Sequence, residues 1–257
     1  MKNVTALCEF ALEAIEDNEG IYIQERLIEA LDHIIRPNMN MAEIRDSLIQ
    51  ISLELTTDME PKWQYAASRL YVQKLHDEVR RNRGLNKEEN LYSNLYAFIK
   101  ELTDKNLYGR YILENYSKED IAELEKELKP ERDYLFTYSG INLLSKRYLI
   151  HDFNKNTVEL PQQMFMGIAM HLAIPEKKEN RVKWAKRFYD VLSTLRATMA
   201  TPTMSNARKP FYQLSSCFID TVQDSLTGIY KSLDNFAEVS KFGGGMGIYL
   251  GKVRALG

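Results

Sequence analysis

Cysteine is scarce in this chain, with Cys8 and Cys217 the only two in 257 residues. Two thiols cannot build a disulfide framework or a cysteine metal cage, and so low a count fits a reducing cytoplasm. The four histidines, His33, His76, His151 and His171, are scattered without metal-ligand spacing. No serine, histidine and aspartate fall into a pattern that would mark a hydrolase. Long basic runs are missing and the net charge is −2, so bulk electrostatics predicts no nucleic-acid partner. The N-terminal stretch MKNVTALCEFALEAIEDNEG has no sustained apolar run and carries Glu9, Glu13 and Glu16, which excludes a signal peptide or a membrane span there. Proline is sparse at 7 while tyrosine reaches 15, a balance that suits folded helices better than disorder.

What remains is ordinary globular material, 44% hydrophobic and 27% charged, enough for one large domain or two modest ones. Helical periodicity dominates the first two-thirds. ERLIEALDHII places Leu27, Ile28, Leu31, Ile34 and Ile35 on one face, and the segment after Pro37 repeats the pattern with Ile44, Leu48, Ile51 and Leu55. Pro61 suits the first turn of a helix carrying Tyr65, Ala66, Leu70 and Leu75. Ser117 followed by Asp120 predicts a helix start. Residues 154–156 predict the turn of a small hairpin between RYLIHD and TVEL. LPQQMFMGIAMHLAI and ENRVKWAKRFYDVLSTLRATM predict further helices. From Thr201 the texture changes: TPTMSNARKP is loop-like, QLSSCFI strand-like, SLTGIYKSLDNFAEVSKF helical and MGIYLGKV a strand, the succession of an α/β unit.

Four short stretches carry candidate chemistry. GGGMG, residues 243–247, has more glycine than the one or two that a helix end and turn require. Its surplus fits a backbone that a nucleotide approaches closely, although neither the P-loop nor the dinucleotide pattern is in register. DSLTG, residues 224–228, is a helix cap whose free N–H groups and Asp224 also suit a ligand. The hydroxyls of ATPTMSN, residues 200–206, are turn formers that also suit a phosphate or ribose. Cys217, beside Ser215 and Ser216, reads by default as a buried, inert strand residue, and a redox role requires a second thiol nearby. Cys8, on an amphipathic helix, reads as core filler rather than as that partner.

The order of these stretches is more specific than any one of them. ATPTMSN, QLSSCFI, DSLTGIY, SKFGGGMGI and GKVRALG in succession resemble the large (α) subunit of class I ribonucleotide reductase. Upstream, LTTDMEPKWQYAASRLYVQKL, NLYGRYILENYSKEDI, RDYLFTYSGINLLSKRYLI and VKWAKRFYDVLSTLRATMATPTMSN resemble the same subunit, so the likeness runs from about Glu54 to Gly257. It implies a mainly α N-terminal domain followed by the first strand-helix-strand elements of a ten-stranded α/β barrel. Residues 1–53 would be a helical segment, a degenerate remnant of an ATP cone; 54–200 the all-helical domain; and 201–257 the start of the barrel.

The resemblance also implies roles. Cys217 matches the family's first redox cysteine. Thr201, Ser216 and Gly245 match substrate-contacting positions. Asp224, Ser225, Leu226, Lys241 and Arg254 match the specificity site, where a deoxynucleotide or ATP acts as effector at a homodimer interface. The implied substrate is a ribonucleoside diphosphate. The implied partners are a small (β) subunit, whose metal centre supplies the radical, and thioredoxin or glutaredoxin as reductant; no cofactor is implied on this chain itself, and neither nucleic acid nor membrane is an expected partner. The family's Val-x-Lys-Arg-Asp-Gly hairpin of the ATP cone is missing, so an overall-activity switch is not expected. The family's subunit is considerably longer, and its radical cysteine, second redox cysteine and shuttle cysteines match nothing here. The expectation is therefore an N-terminal portion of such a subunit, inactive without the remainder. The alternative is a non-catalytic effector-binding and assembly module of a split reductase.

Overall fold

A computed structural model describes residues 2–15, 20–36 and 38–255. The chain is mostly helical and ends in one small parallel sheet, a mainly α region followed by the start of an α/β unit. Four helices come first: α1 (Lys2–Leu12), α2 (Gly20–Asp32), α3 (Met41–Glu54) and α4 (Trp63–Asn82). The start of α3 is fixed by a reciprocal cap. Asn40 accepts from the Ala42 and Glu43 N–H groups, and Glu43 reaches back to the Asn40 N–H at 2.8 Å. The predicted face of α2 is only partly realised. Leu27 and Leu31 are buried, but the helix ends at Asp32 and Ile34 and Ile35 stand exposed. Both of their N–H groups close onto the Leu31 carbonyl, a tightened last turn that ends the periodicity. Pro61 lies just ahead of α4 rather than within its first turn.

Next come α5 (Leu95–Asp104), α6 (Arg110–Asn115), α7 (Lys118–Glu125), α8 (Tyr138–Arg147), α9 (Pro161–Ala173) and α10 (Arg181–Ser193). Ser117 and Asp120 form the predicted capping box at α7. The predicted hairpin shrinks to one antiparallel bridge, His151 with Thr157. Asp152 takes the N–H groups of Asn154 and Asn156 on its carboxylate and holds the turn, while backbone bonds from Asp152 to Asn156 and from Val158 to Ile150 join the two arms.

Among the described residues, all the buried apolar side chains but Val222 fall into two clusters. One gathers Cys8, Leu27, Leu48 and Trp63 from the first four helices. The larger surrounds α9, whose residues 161–170 are all buried, Gln162 and Gln163 among them with their amides hydrogen-bonded to Asp133, Tyr189, Leu91 and Leu160. Helix α4 serves both: Trp63, Ala66 and Leu70 belong to the first cluster, Val72, Leu75 and Val79 to the second. At Gly167 on α9 an added Cβ would lie 2.1 Å from the Tyr108 hydroxyl and 2.8 Å from Arg208 Cδ. Gly167→Ala is therefore expected to destabilise the chain by about 1–3 kcal/mol through overpacking, read as a lower urea midpoint. Among the described residues no helix is long and apolar enough to cross a membrane.

Last along the chain come α11 (Thr201–Asn206), β1 (Cys217–Thr221), α12 (Leu226–Lys241) and β2 (Gly245–Tyr249). Strands β1 and β2 pair in parallel, Cys217 opposite Gly245 and Ile219 opposite Gly247. Helix α12 is the crossover that parallel neighbours require.

Candidate functional site

Residues 201–206, predicted as loop, form helix α11. Pro202 occupies its first turn, where a missing N–H costs nothing. Its hydroxyl and amide side chains turn aside instead of breaking the helix. Thr203 Oγ1 donates to the Leu214 carbonyl at 3.4 Å, and Asn206 Nδ2 to the Gln213 carbonyl at 3.0 Å. The helix thereby carries the chain leading into β1. Thr201 is exposed at its N-terminal end, with Tyr148 OH 3.3 Å from its Oγ1.

Cys217 opens β1, and its default reading as a buried strand residue is corrected by the structure: the thiol is exposed. The pleat explains why. Alternate residues Cys217, Ile219 and Thr221 share one face of the sheet with Gly245, Gly247 and Tyr249. The opposite face meets α12, where Phe218 lies against Gly244 and Val239 stands close by, and Asn235 Nδ2 approaches Asp220 Oδ2 at 3.5 Å. The cysteine face is uncovered, with Ile219 87% exposed. Ser216 Oγ is 3.5 Å from Cys217 Sγ, and the Ser216 carbonyl accepts the Gly245 N–H at 2.8 Å.

The glycine run divides into two halves. Gly243 has φ +82°, a conformation that favours glycine, and a Cβ on Gly244 would come within 2.7 Å of Val239 and 2.8 Å of Phe218. The fold needs both. Gly245 and Gly247 differ: added Cβ atoms would meet only the Ser216 carbonyl at 3.6 Å and the Phe218 carbonyl at 3.9 Å. Those are ordinary contacts, so internal packing does not require glycine there. Their effect is to leave a bare backbone shelf beside the Cys217 thiol.

Ser225 caps α12, accepting the Gly228 N–H at 3.1 Å. Asp224 pairs with Arg254 at 3.0 Å, and Leu226 is exposed. Asp224, Ser225, Leu226 and Arg254 thus gather at one end of α12. Lys241 does not join them. It sits at the far end, its Nζ 5.5 Å from the Phe242 ring centroid, about 22 Å away along the helix axis.

The other cysteine and the histidines lie elsewhere. Burial, reinforced by Glu9, pushes the Cys8 thiol up to about 11. His76 pairs with the buried Asp133 at 2.9 Å. His171 Nδ1 lies 2.8 Å from Tyr111 OH, and burial lowers its pKa. Among the described residues no cluster of histidine, cysteine, aspartate or glutamate could hold a metal ion.

Sequence reasoning missed the ion pair between Arg208 and Glu159, both fully buried. Burial alone would lower the Arg208 pKa, but the Glu159 carboxylate outweighs it and the net shift is upward. A charged residue within an otherwise apolar stretch, Glu159 in TVELPQQ, was the available signal.

Comparisons with known proteins agree with this arrangement. Residues 134–212 match the family described as ribonucleotide reductase, all-alpha domain, and residues 215–257 match ribonucleotide reductase, barrel domain. The chain is 51% identical over 210 residues to the ribonucleoside-diphosphate reductase subunit alpha of Treponema pallidum, covering 82% of this chain and 24% of that protein. It is 36% identical over 255 residues to the same-named subunit of Helicobacter pylori, covering 99% of this chain and 31% of that one. With ribonucleoside-diphosphate reductase 1 subunit alpha of Escherichia coli it shares 28% over 244 residues, 93% of this chain and 31% of the other. It thus spans 24% to 31% of the length of these relatives. The all-alpha match followed directly by the barrel match, in the order the structure shows, places the chain in the ribonucleotide reductase large-subunit family.

Proposed function

We propose that the chain is the N-terminal portion of a class I ribonucleoside-diphosphate reductase large subunit and that Cys217 is one half of its redox pair. The observation that supports this best is the exposed thiol beside two glycines that packing does not require. A ribose can approach that shelf, with Thr201, Ser216 and Gly245 as its contacts. In the reaction a cysteine thiyl radical takes the 3′ hydrogen, the 2′-hydroxyl leaves as water, two thiols close to a disulfide as they deliver two electrons and two protons, and the 3′ hydrogen returns to the sugar as the thiyl radical re-forms. Cys217 supplies one thiol. Cys8, buried among helices, does not supply the other, so these 257 residues alone turn nothing over. The complete enzyme would draw its radical from a metal-containing small subunit and its electrons from thioredoxin or glutaredoxin. Residues 1–53 as an ATP-cone remnant, 54–200 as the helical domain and 201–257 as the barrel start complete the proposal.

The second reading, an effector-binding and assembly module, draws on α12. Asp224 suits ribose hydroxyls and Arg254 a phosphate, and Lys241 is too distant to help within one chain. A second copy would supply it. Leu226, Tyr230, Leu233 and Phe236 leave an exposed apolar stripe along α12, which a homodimer would cover. Equilibrium dialysis with labelled deoxynucleoside triphosphate tests this. Arg254→Ala is expected to weaken binding about ten- to a hundredfold, the worth of a charge-assisted hydrogen bond; equal binding by both proteins removes Arg254 from the site.

A further inference from the structure

The Arg208–Glu159 pair lies away from every candidate ligand contact, yet each arm of the guanidinium grips a segment that leads to one. Nε donates to Glu159 Oε1 at 2.6 Å, and Nη2 donates to Glu159 Oε2 and, at 2.8 Å, to the Tyr148 carbonyl. Nη1 donates to the Met204 carbonyl of α11 at 2.9 Å. Glu159 Oε2 also accepts the Ile150 N–H at 2.9 Å, and the Arg208 carbonyl accepts the Gly109 N–H at 2.8 Å.

Two paths run outward from this clamp. One passes through Tyr148, whose backbone Arg208 holds and whose hydroxyl meets Thr201 Oγ1. The other passes through α11, held at Met204, whose Thr203 and Asn206 hold the carbonyls of Leu214 and Gln213. Those residues run straight into Ser216 and Cys217. A buried ion pair is a poor way to gain stability, because its desolvation offsets its attraction and apolar residues of similar volume commonly serve as well. What a forked guanidinium offers that an apolar side chain cannot is directional hold on several carbonyls at once.

We infer that Arg208 and Glu159 are positioning residues, which set Thr201 and the Ser216–Cys217 strand start at a fixed separation. The inference rests on the reading of Thr201 and Cys217 as substrate-facing, but its first test does not. The Gly245 amide, bonded to the Ser216 carbonyl, reports the strand start; the Phe98 amide in α5, bonded to Asn94, reports the helical core. Residue-resolved hydrogen exchange is measured on the whole chain and on the double variant Arg208→Met/Glu159→Leu. Gly245 is expected to exchange at least tenfold faster relative to Phe98 in the variant. An unchanged ratio, as for a pair that only stabilises, overturns the inference.

Should the double variant not fold, Arg208→Lys keeps the charge but, with three donors on one nitrogen, cannot make all four bonds to Glu159, Tyr148 and Met204, and the same ratio decides. In the assembled reductase the double variant is expected to lose at least tenfold in kcat with the small-subunit affinity unchanged; full kcat would also overturn the assignment. Turnover that survives Cys217→Ser would remove the reading of Cys217 while leaving the exchange ratio to judge the clamp.

Discussion

Cys217→Ser is expected to abolish deoxynucleotide formation by the assembled reductase while leaving the fold of the chain intact. The exchange of thiol for hydroxyl is nearly isosteric at an exposed position, so stability is expected to move by less than about 0.5 kcal/mol. The chemistry has no such tolerance. A serine hydroxyl cannot enter a disulfide, so under the proposed role of Cys217 the two-electron step would have no donor at that position. Because redox partners act as a unit, the loss is not partial: turnover is expected to fall by at least about a thousandfold. The control is built into the chain. Cys8 is fully buried with its thiol pushed up to about 11, whereas Cys217 is exposed, so a native-state alkylating reagent is expected to modify one thiol only. Peptide mapping that finds Cys8 modified first, or turnover by the serine variant near that of the parent, would contradict the assignment.

The second large effect concerns stability. Glu159→Leu alone leaves the Arg208 guanidinium buried without its counter-charge and is expected to cost about 3–5 kcal/mol. Against a typical total of about 5–15 kcal/mol, that is a large share of the stability of the chain. Adding Arg208→Met removes the stranded charge, and the double variant is expected to recover most of the loss, giving a strongly non-additive cycle. Urea midpoints of the parent, both single variants and the double variant measure it. Additive losses would show that the two side chains do not act as a pair.

Much of the helical region was legible because its signals are local. The capping box at Ser117 and the apolar run around Phe165 are written within a few residues, and both took the predicted form. Where prediction failed, a side chain made a choice that spacing does not encode. The hydroxyls of α11 read as loop because threonine, serine and asparagine usually compete with the backbone; here Thr203 and Asn206 spend that capacity on residues 213 and 214 instead. Asp152 used its carboxylate to tighten the turn of the predicted hairpin, whose strands shorten to a single antiparallel bridge. Asn40 and Glu43 carried a capping signature that went unread. The Arg208–Glu159 pair, 49 residues apart, has no periodic signature at all.

The candidate site shows the same division. The motif order pointed to the residues proposed for the site, but not that two of the glycines serve packing and two stand free, nor that Lys241 lies a helix length from Arg254. Those distinctions need the register of β1 against β2 and the length of α12.

Helix α4 has a practical consequence for anyone shortening this protein. Its first half is the wall of one cluster and its second half the wall of the other. Cutting the chain just ahead of α4 would strip Trp63, Ala66 and Leu70 of their cover and turn a shared wall into an oily outer surface. A trimmed version built for crystals or assays would need those positions recoloured with polar side chains, because the boundary between the clusters runs through the middle of α4 rather than through a loop.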